Sequence, residues 1–359
     1  MLRILRDSIG FIVMAILIVG LLGVAAWSVY AGRKIVGELA LSQQAAALDN
    51  KYSRPDEAVP AASAALDPSW KGVAPKLEQR LRRLEQAQGM PQSVAREASS
   101  SVALMVGEYI WTDRRGRKPL RYAGLDESGT ALRDSGGREI VSFDAEGPIV
   151  VREFTGTAFL LASGEVLTSD FILRPWDADP LFDQDQPERV PSIRLLHAYF
   201  PGSTAAVDLK IEHADDNSGT VLCSIKGSRP PAAGLQLSQG AVVTGEALVS
   251  IGYPGGVGLI AARAPNDVRR ELFKFPTTAT DEIAEFLAER SLIQPVVTQT
   301  RVTAQTGGKI FYDTVNTFGN SGGPLLNAQG RVVAINEASN SDFPGLNLAL
   351  PLKSAARRN

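Results

Sequence analysis

The residues with the clearest chemical potential lie in one short segment, Gly-Asn-Ser-Gly-Gly at positions 319–323. Glycines on either side leave room for a carbonyl group to approach the hydroxyl of Ser321. That hydroxyl attacks a carbonyl efficiently only when a neighbouring general base takes its proton. Histidine is the usual base, and the chain has two, His197 and His213. The chemistry of Ser321 therefore depends on whether either histidine reaches it.

The spacing of residues 319–323 also matches G-x-S-x-G, the nucleophile elbow of α/β-hydrolases, in which a helix begins directly after the serine. Here Pro324 follows, and then the segment LLNAQGRVVAIN. That segment predicts a strand, a glycine turn and a second strand. The elbow is therefore excluded.

The elements that must position Ser321 are predicted to be mostly β. From Ser99 onward, short β-branched or apolar runs alternate with Gly, Pro, Asn and Asp, which is typical of barrels or sandwiches. The runs predict two barrels joined near GSRPPAAG. One helix is predicted among them, TDEIAEFLAERSL, with Thr280 as its N-cap and an apolar face formed by Ile283, Phe286 and Leu287.

Several segments resemble trypsin-like serine proteases, and the bacterial HtrA-type branch in particular. GNSGGPLLNAQGRVVAIN resembles the nucleophile segment of that family, and GTAFLLASGEVLTS the strand pair that leads to its catalytic histidine. ALVSIGYPGG is similar to the opening of its second barrel and GLNLALPL to its closing strand. The resemblance spans about residues 99–352. It implies a double six-stranded β-barrel with a site in the cleft between the barrels.

The resemblance also implies roles for individual residues. Ser321 stands at the nucleophile position, and the backbone N–H groups of Gly319 and Ser321 stand at the oxyanion hole. Val315, six residues before Ser321, stands at the base of the specificity pocket, which implies that an apolar side chain binds there.

Two of the three catalytic positions lack the residue that the family uses. In the family, the histidine stands three residues after the threonine that closes the Val-Leu-Thr strand. That threonine is Thr168, so Phe171 occupies the base position. The family's aspartate opens the strand that corresponds to SGTVLCSI, where Gly219 stands. Because a phenyl ring accepts no proton, Ser321 is expected to be a poor nucleophile.

The remaining candidates for a base or an acid are not expected to replace the lost ones. His197 and His213 both lie in strand segments well beyond the base position and are interpreted as barrel residues. Asp215 and Asp216 lie slightly upstream of Gly219, but an acid without a histidine to orient has no catalytic role.

Three hypotheses follow. The first is a membrane-anchored, trypsin-fold pseudoprotease that binds a protein or an extended peptide by β-augmentation, or serves as an assembly component. The second is an active serine endopeptidase whose base is His197 or comes from a partner subunit. The third is an accessory structural subunit of a membrane complex. Labelling of Ser321 by a fluorophosphonate separates the first two.

The N-terminus predicts a single-pass membrane anchor. After a tail of residues 1–7, residues 8–32 carry no charge. This uncharged segment is long enough to cross a hydrocarbon core of about 30 Å as a helix. A cleaved signal peptide is the alternative, but the apolar run exceeds the usual length of about 7–15 residues. The basic residues on the two sides leave the orientation open. The family resemblance implies an inner-membrane anchor with the soluble part in the periplasm.

The rest of the chain divides into three predicted regions. Residues 33–97 predict helical segments and a Pro- and Ala-rich tether, residues 98–228 the first barrel, and residues 229–359 the second barrel. A helical insertion is predicted at 261–293, interpreted as a docking element, a lid or, most simply, a surface elaboration. In the tether region a helical stripe for packing or self-association is formed by Leu77, Leu81 and Leu84.

Composition excludes several classes of function. A net charge of -2 and the absence of a basic stripe argue against nucleic acid. The single cysteine, Cys223, excludes an intramolecular disulfide and a cysteine-built zinc site. The aspartates of residues 175–188 lack the spacing of a calcium-binding EF-hand, which predicts a solvated acidic loop. No metal or cofactor is expected, and a homo- or hetero-oligomeric state is left open.

Overall fold

The computed structural model describes residues 92–352, except 128, 183–187, 216–217, 231, 277, 315–318 and 340–345. The predicted membrane span, the tether, the leucine stripe and Val315 lie outside the described residues. None of the helices in the described part of the chain has the length and apolar character needed to cross a bilayer.

Most described strands belong to two closed, antiparallel barrels. The first barrel is built from β1 (Val102–Thr112), β4 (Val151–Leu160), β5 (Val166–Ser169), β6 (Val190–Tyr199), β7 (Val207–Asp215) and β8 (Thr220–Lys226). The second barrel is built from β9 (Ala247–Gly252), β10 (Val296–Thr306), β11 (Lys309–Asp313), β12 (Pro324–Leu326), β13 (Val332–Ser339) and β14 (Leu346–Pro351). Their orders are β1-β4-β5-β8-β7-β6 and β10-β11-β14-β13-β12-β9. The prediction of a mostly β, double six-stranded barrel is confirmed.

The strands are strongly apolar because many of them are buried on both faces. In β1, Ala103 and Met105 point into the first barrel, whereas Leu104 and Val106 point into the seam between the barrels. All four are fully buried. This explains why the sequence of β1 reads as a continuous apolar run rather than a strict alternation.

A long connection between β1 and β4, residues 113–150, forms an arm on the first barrel. It contains the short strands β2 (Arg121–Tyr122) and β3 (Val141–Ser142), which pair with each other. Further along the arm, Leu125 bridges Ala131 and Arg133 bridges Glu139. The arm is therefore a small sheet-like unit rather than an unstructured loop.

More helix is present than the sequence predicts. The described helices are α1 (residues 92–98), α2 (Asp170–Leu173), α3 (Gly256–Arg263), α4 (Asn266–Leu272) and α5 (Thr280–Glu289), with 3₁₀ turns at Ser99–Ser101 and Pro175–Ala178. The prediction of a single helix within the barrel region was wrong, because α3 and α4 precede α5. The predicted N-cap was also wrong. Ala279 holds the N-cap position without a side-chain bond, and the Thr280 hydroxyl instead donates to Glu153 of β4 at 2.6 Å.

The helical insertion lies in the seam between the barrels and is not a surface elaboration. It begins at Gly256, five residues before the predicted boundary. Val257 and Ile260 of α3 and Leu287 of α5 are buried in the same apolar cluster as Leu104 of the first barrel. Packing against the barrels therefore contributes to the stability of α3 and α5.

The predicted solvated acidic loop was wrong for Asp179. This side chain is buried, and it accepts hydrogen bonds from the Tyr109 hydroxyl at 2.6 Å and from Trp111 Nε1 at 3.3 Å. Arg152 Nε lies 3.4 Å from the same oxygen. Asp179 thus ties the loop after β5 to β1 and β4, a long-range role that the local sequence does not reveal.

Candidate functional site

The Ser321 loop enters β12 in a conformation that needs glycine. Gly319 and Gly322 have φ values of 94° and 84°, which residues with a Cβ rarely adopt. A Cβ at Gly319 would lie 2.4 Å from the carbonyl oxygen of Tyr253, and one at Gly322 would lie 2.1 Å from that of Thr157. The backbone of the first barrel and the end of β9 therefore approach the loop too closely for any side chain.

Thr157 of β4 holds this loop in place from the opposite barrel. Its backbone N–H donates to the carbonyl oxygen of Ser321 at 3.0 Å. Its hydroxyl donates to the carbonyl oxygen of Gly319 at 2.7 Å and accepts the N–H of Tyr253 at 3.0 Å. Its own carbonyl accepts the hydroxyl of Thr168 at 2.9 Å. One fully buried threonine thus fixes both ends of the Gly319–Ser321 segment.

Polar side chains inside the second barrel complete the support of the loop. Asn320 and Asn336 each donate an amide hydrogen to the hydroxyl oxygen of Ser250, at 3.3 and 3.2 Å. The N–H of Gly322 donates to the carbonyl of Asn336 at 2.8 Å. Sequence reasoning missed Thr157, Ser250 and Asn336, because no local pattern distinguishes them from other strand residues.

Phe171, at the predicted base position, lies two residues after the strand that packs against the loop. A Cβ at Gly322 would lie 2.4 Å from the Thr168 hydroxyl and 3.3 Å from the Ser169 nitrogen. Ser169 then caps α2 by accepting the N–H of Phe171 at 3.3 Å. The next two residues of α2 are buried, whereas the Phe171 side chain is 50% exposed. The ring thus stands at the surface, just past the strand end that touches the loop.

Gly219, at the predicted acid position, lies beside the residue before Phe171 and has a backbone conformation that favours glycine. Its carbonyl accepts the N–H of Asp170, the residue before Phe171, at 2.9 Å. A Cβ on Gly219 would lie 2.5 Å from Cδ1 of Leu350 in β14, and its φ is 61°. An aspartate here would adopt an unfavourable backbone conformation, and the Leu350 side chain would have to move aside.

His197 is engaged away from Ser321. Its Nδ1 lies 2.9 Å from Asp281 of α5, and its Nε2 lies 2.9 Å from Asp208 of β7. The hydrogen bond to Asp281 raises the pKa of His197, burial opposes the shift, and Asp208 adds to the rise. His213 is exposed on β7. Among the described residues, neither histidine makes a hydrogen bond to Ser321.

The contacts of His197 fasten the insertion to the first barrel. Tyr199 of β6 donates its hydroxyl to Asp281 at 2.8 Å, beside the His197 bond. Thr280 donates both its N–H and its hydroxyl to Glu153. The start of α5 is therefore held by β4 and β6 together.

The sequence and the fold assign the chain to a known class of protein. The family model described as "Trypsin-like peptidase domain" matches residues 156–335, half of the chain. The chain belongs to the trypsin-like peptidase domain family. This match covers Thr157, the Phe171 and Gly219 positions and the Ser321 loop.

Individual relatives either have low sequence identity to this chain or match it over a short segment. Over 37 residues the chain is 54% identical to a putative serine protease HhoB of Synechocystis sp., a match that covers 10% of this chain and 9% of that protein. Similar solved structures include the active form of the Rv3671c protease from M. tuberculosis, with 12% identity, a TM-score of 0.41 and coverage of 72% of this chain and 78% of that chain. A serine endoprotease from Yersinia pestis has 13% identity, a TM-score of 0.40 and coverage of 73% and 62%.

Proposed function

We propose that this protein is a catalytically inactive trypsin-like peptidase, anchored in the membrane, that binds a protein or an extended peptide beside Ser321. The proposal is supported by the combination of a glycine-bounded Ser321 loop with Phe171 and Gly219 at the positions that the family resemblance assigns to the base and the acid. A serine without a base lacks the rate enhancement of about 10²- to 10⁴-fold that general base catalysis contributes.

The neighbouring groups do not offer a substitute base. Asp170, next to Phe171, forms an ion pair with Arg174 at 3.1 Å. Both ring nitrogens of His197 lie 2.9 Å from carboxylates, those of Asp208 and Asp281. At Gly219, the predicted acid position, a side chain would meet Leu350 Cδ1. These contacts support the inactive form over an endopeptidase with His197 as its base.

The loop itself is suited to binding. Within the described residues, the N–H groups of Gly319 and Ser321 donate no hydrogen bond, whereas that of Gly322 does. Two such amides in a glycine-bounded loop can donate hydrogen bonds to a carbonyl oxygen of an extended peptide. The half-exposed ring of Phe171 supplies an apolar surface two residues past Ser169, whose nitrogen lies close to the loop.

A fluorophosphonate probe tests the inactive state, because it reacts with a serine only when the hydroxyl is activated. We expect no labelling of the full chain in membranes under conditions that fully label an active trypsin-like protease. Labelling that disappears in Ser321→Ala would overturn the proposal.

Photo-crosslinking tests the binding role. A benzophenone amino acid in place of Phe171 is expected to form a crosslink to a peptide or protein partner, whereas the same residue in place of Phe273 is not. Phe273 is a matched control because it is 89% exposed on the insertion, outside the Ser321 loop. Equal crosslinking at both positions would contradict a specific site.

The anchoring and the side of the membrane belong to the same proposal. The uncharged residues 8–32 support an anchor, and the family resemblance supports a soluble part outside the cytoplasm. Alkaline phosphatase fused after residue 359 is expected to be active, and a fluorescent protein that matures only in the cytoplasm is expected to stay dark there. The reverse pattern contradicts the orientation.

A further inference from the structure

The second helix of the insertion and the turn after it form one continuous surface element, residues 266–275, called the α4 segment below. Beyond Leu272, the last residue of α4, the chain keeps a helical path. The N–H of Phe273 donates to the carbonyl of Arg269 at 3.3 Å, and that of Phe275 donates to the carbonyl of Leu272 at 3.1 Å. Side chains four residues apart therefore lie on the same side of the α4 segment.

The inner side of the α4 segment is occupied by the core of the molecule. Val268, Leu272 and Phe275 follow one another at the spacing i, i+4 and i+7. Val268 is buried in the apolar cluster of the seam, and Leu272 packs against that cluster. The ring of Phe275 contacts that of Phe286 in α5, with 5.3 Å between the ring centres. This packing fixes which side of the α4 segment faces outward.

The outer side of the α4 segment combines three cations with an aromatic ring. Arg269, Arg270, Phe273 and Lys274 stand at i, i+1, i+4 and i+5, and all four are exposed. Phe273 is 89% exposed, the largest exposed fraction among the large apolar side chains of the described residues. The ring therefore stands in solvent, with a positively charged side chain four residues before it and another directly after it.

The carboxylates of the α4 segment do not share its outer side. Asp267 and Glu271 are four residues apart, so they lie together on a flank between the inner and outer sides. Glu271 also forms an ion pair with Arg290 of the loop after α5, at 3.5 Å. The α4 segment thus carries three positive and two negative charges, with the negative ones displaced to one flank.

The cations of the outer side are not engaged in ion pairs within the described part of the chain. The Arg269 guanidinium donates to the side-chain oxygen of Asn266, and Nε of Arg270 lies 3.4 Å from the carbonyl oxygen of the same residue. No carboxylate of the described residues pairs with either arginine or with Lys274. The positive charge of this side therefore faces solvent.

The chemistry of the outer side fits a bilayer that contains anionic lipids. Lys and Arg near such a surface are attracted by its negative potential, and an aromatic ring enters the boundary between head groups and acyl chains. A stable protein interface needs a broad apolar centre from which lysine is depleted. One ring among three cationic side chains does not provide such a centre, so a lipid surface is favoured over a protein.

We propose that the outer side of the α4 segment docks on the surface of a bilayer that contains anionic lipids. Arg269, Arg270 and Lys274 contact the phosphate groups, and Phe273 inserts beside them. The docking is a second membrane contact, separate from peptide binding beside Ser321. Its proximity to the bilayer rests on the anchor proposed for residues 8–32, which makes docking intramolecular and raises the effective concentration of lipid.

A fluorescent label at position 273 tests the docking in the full chain reconstituted in nanodiscs. The environment-sensitive dye NBD is attached to Phe273→Cys, and the native Cys223 is fully buried and so protected from labelling. In discs of phosphatidylcholine with phosphatidylglycerol, the emission is expected to shift to shorter wavelengths and to be quenched by brominated lipids. The shift is expected to disappear in discs of phosphatidylcholine alone, and also at about 1 M salt, where the Debye length is about 3 Å.

Matched variants separate docking from a general effect of the disc. The same dye on Val243→Cys, at a side chain that is 60% exposed in the second barrel, is expected to show no shift. With the dye at position 273, Arg270→Gln and Lys274→Gln are each expected to lower the ratio of docked to undocked protein about fivefold. Arg331→Gln, at an exposed residue before β13, is expected to leave that ratio unchanged.

The outcomes distinguish the docking from the anchor. A chain that stays on both kinds of disc with the dye at position 273 in a water-like environment overturns the docking, and an acidic protein surface then becomes the occupant. A chain that leaves the phosphatidylcholine discs but stays on the anionic ones, with shifted emission, contradicts the anchor and supports the docking. Because the occupant is a lipid, a protein crosslink at position 273 is still not expected.

Discussion

At Gly219, which faces the base position, any side chain would meet Leu350 Cδ1 at 2.5 Å. The loss of catalysis that we propose therefore involves three residues, Phe171, Gly219 and Leu350, and not the histidine position alone. With Phe171→His alone, no carboxylate orients the imidazole. With Gly219→Asp added, the aspartate meets the Leu350 side chain.

A set of stepwise variants tests this reasoning. Phe171→His with Gly219→Asp and Leu350→Ala is expected to accelerate fluorophosphonate labelling of Ser321 by about 10²-fold or more, in line with the contribution of a positioned base. The double variant that keeps Leu350 is expected to label more slowly than the triple variant. Equal rates for the two would show that Leu350 does not obstruct the acid.

A second prediction concerns Gly322 in the Ser321 loop. Gly322→Ala places a Cβ 2.1 Å from a backbone oxygen at a φ of 84°, so we expect a loss of at least about 3 kcal/mol in the free energy of unfolding. Gly202→Ala is the control, since Gly202 has a similar φ of 78° with nothing within 4 Å. It is expected to cost about 1 kcal/mol, measured by urea unfolding. A similar cost for both would mean that the loop shifts to accept the methyl group.

Among the elements, the insertion departs most from its predicted role. Apolar residues of α3, α4 and α5 are buried in one cluster with residues of both barrels. The sequence predicts α5 from its apolar spacing, with Leu287 on the apolar face. It does not predict what that face contacts, because periodicity reports only that a face is apolar.

Truncation of α5 tests whether the insertion is part of the core. Leu287 is fully buried, so Leu287→Ala is expected to lower the free energy of unfolding by about 2–5 kcal/mol. Phe273→Ala, at a side chain that is 89% exposed, is expected to change it by no more than about 0.5 kcal/mol. A mild effect of Leu287→Ala would instead indicate a detachable lid.

Across the whole molecule, polar contacts add to the apolar seam where the insertion meets the first barrel. His197 lies between Asp281 of α5 and Asp208 of β7, and Tyr199 donates to the same Asp281. The pKa of Tyr199 is raised mainly by burial and then by its bond to Asp281, with Glu285 and Glu282 nearby on α5. The positive form of His197 is thus favoured by carboxylates from two sides.

This arrangement predicts a dependence of stability on pH. Because the folded-state pKa of His197 is raised above its unfolded value of about 6.5, its contribution is fully present below that pH and is lost as the pH rises through the folded pKa. The free energy of unfolding should therefore decrease over this range in the wild type, and the decrease should be smaller in His197→Gln. His213→Gln, at the exposed histidine of β7, is expected to keep the wild-type profile. An unchanged slope in His197→Gln would contradict the assignment.

Local sequence patterns determined the class of this protein. Alternating short strands predict two barrels, and the Gly-Asn-Ser-Gly-Gly segment predicts a glycine-bounded serine loop. Both features are properties of neighbouring residues, so both can be recognised without knowing the fold. The resemblance to trypsin-like proteases implies in addition that Phe171 stands at the base position.

Only the tertiary structure decided what surrounds those features. It brings Leu350 against Gly219, Thr157 against the Ser321 loop and Asp281 against His197, all pairs far apart in the chain. It also buries Asp179, which the sequence places in a run of acidic residues. The physical reason is that steric exclusion, burial and hydrogen bonding depend on which strands close each barrel and on how the barrels pack. No pattern within one segment carries that information.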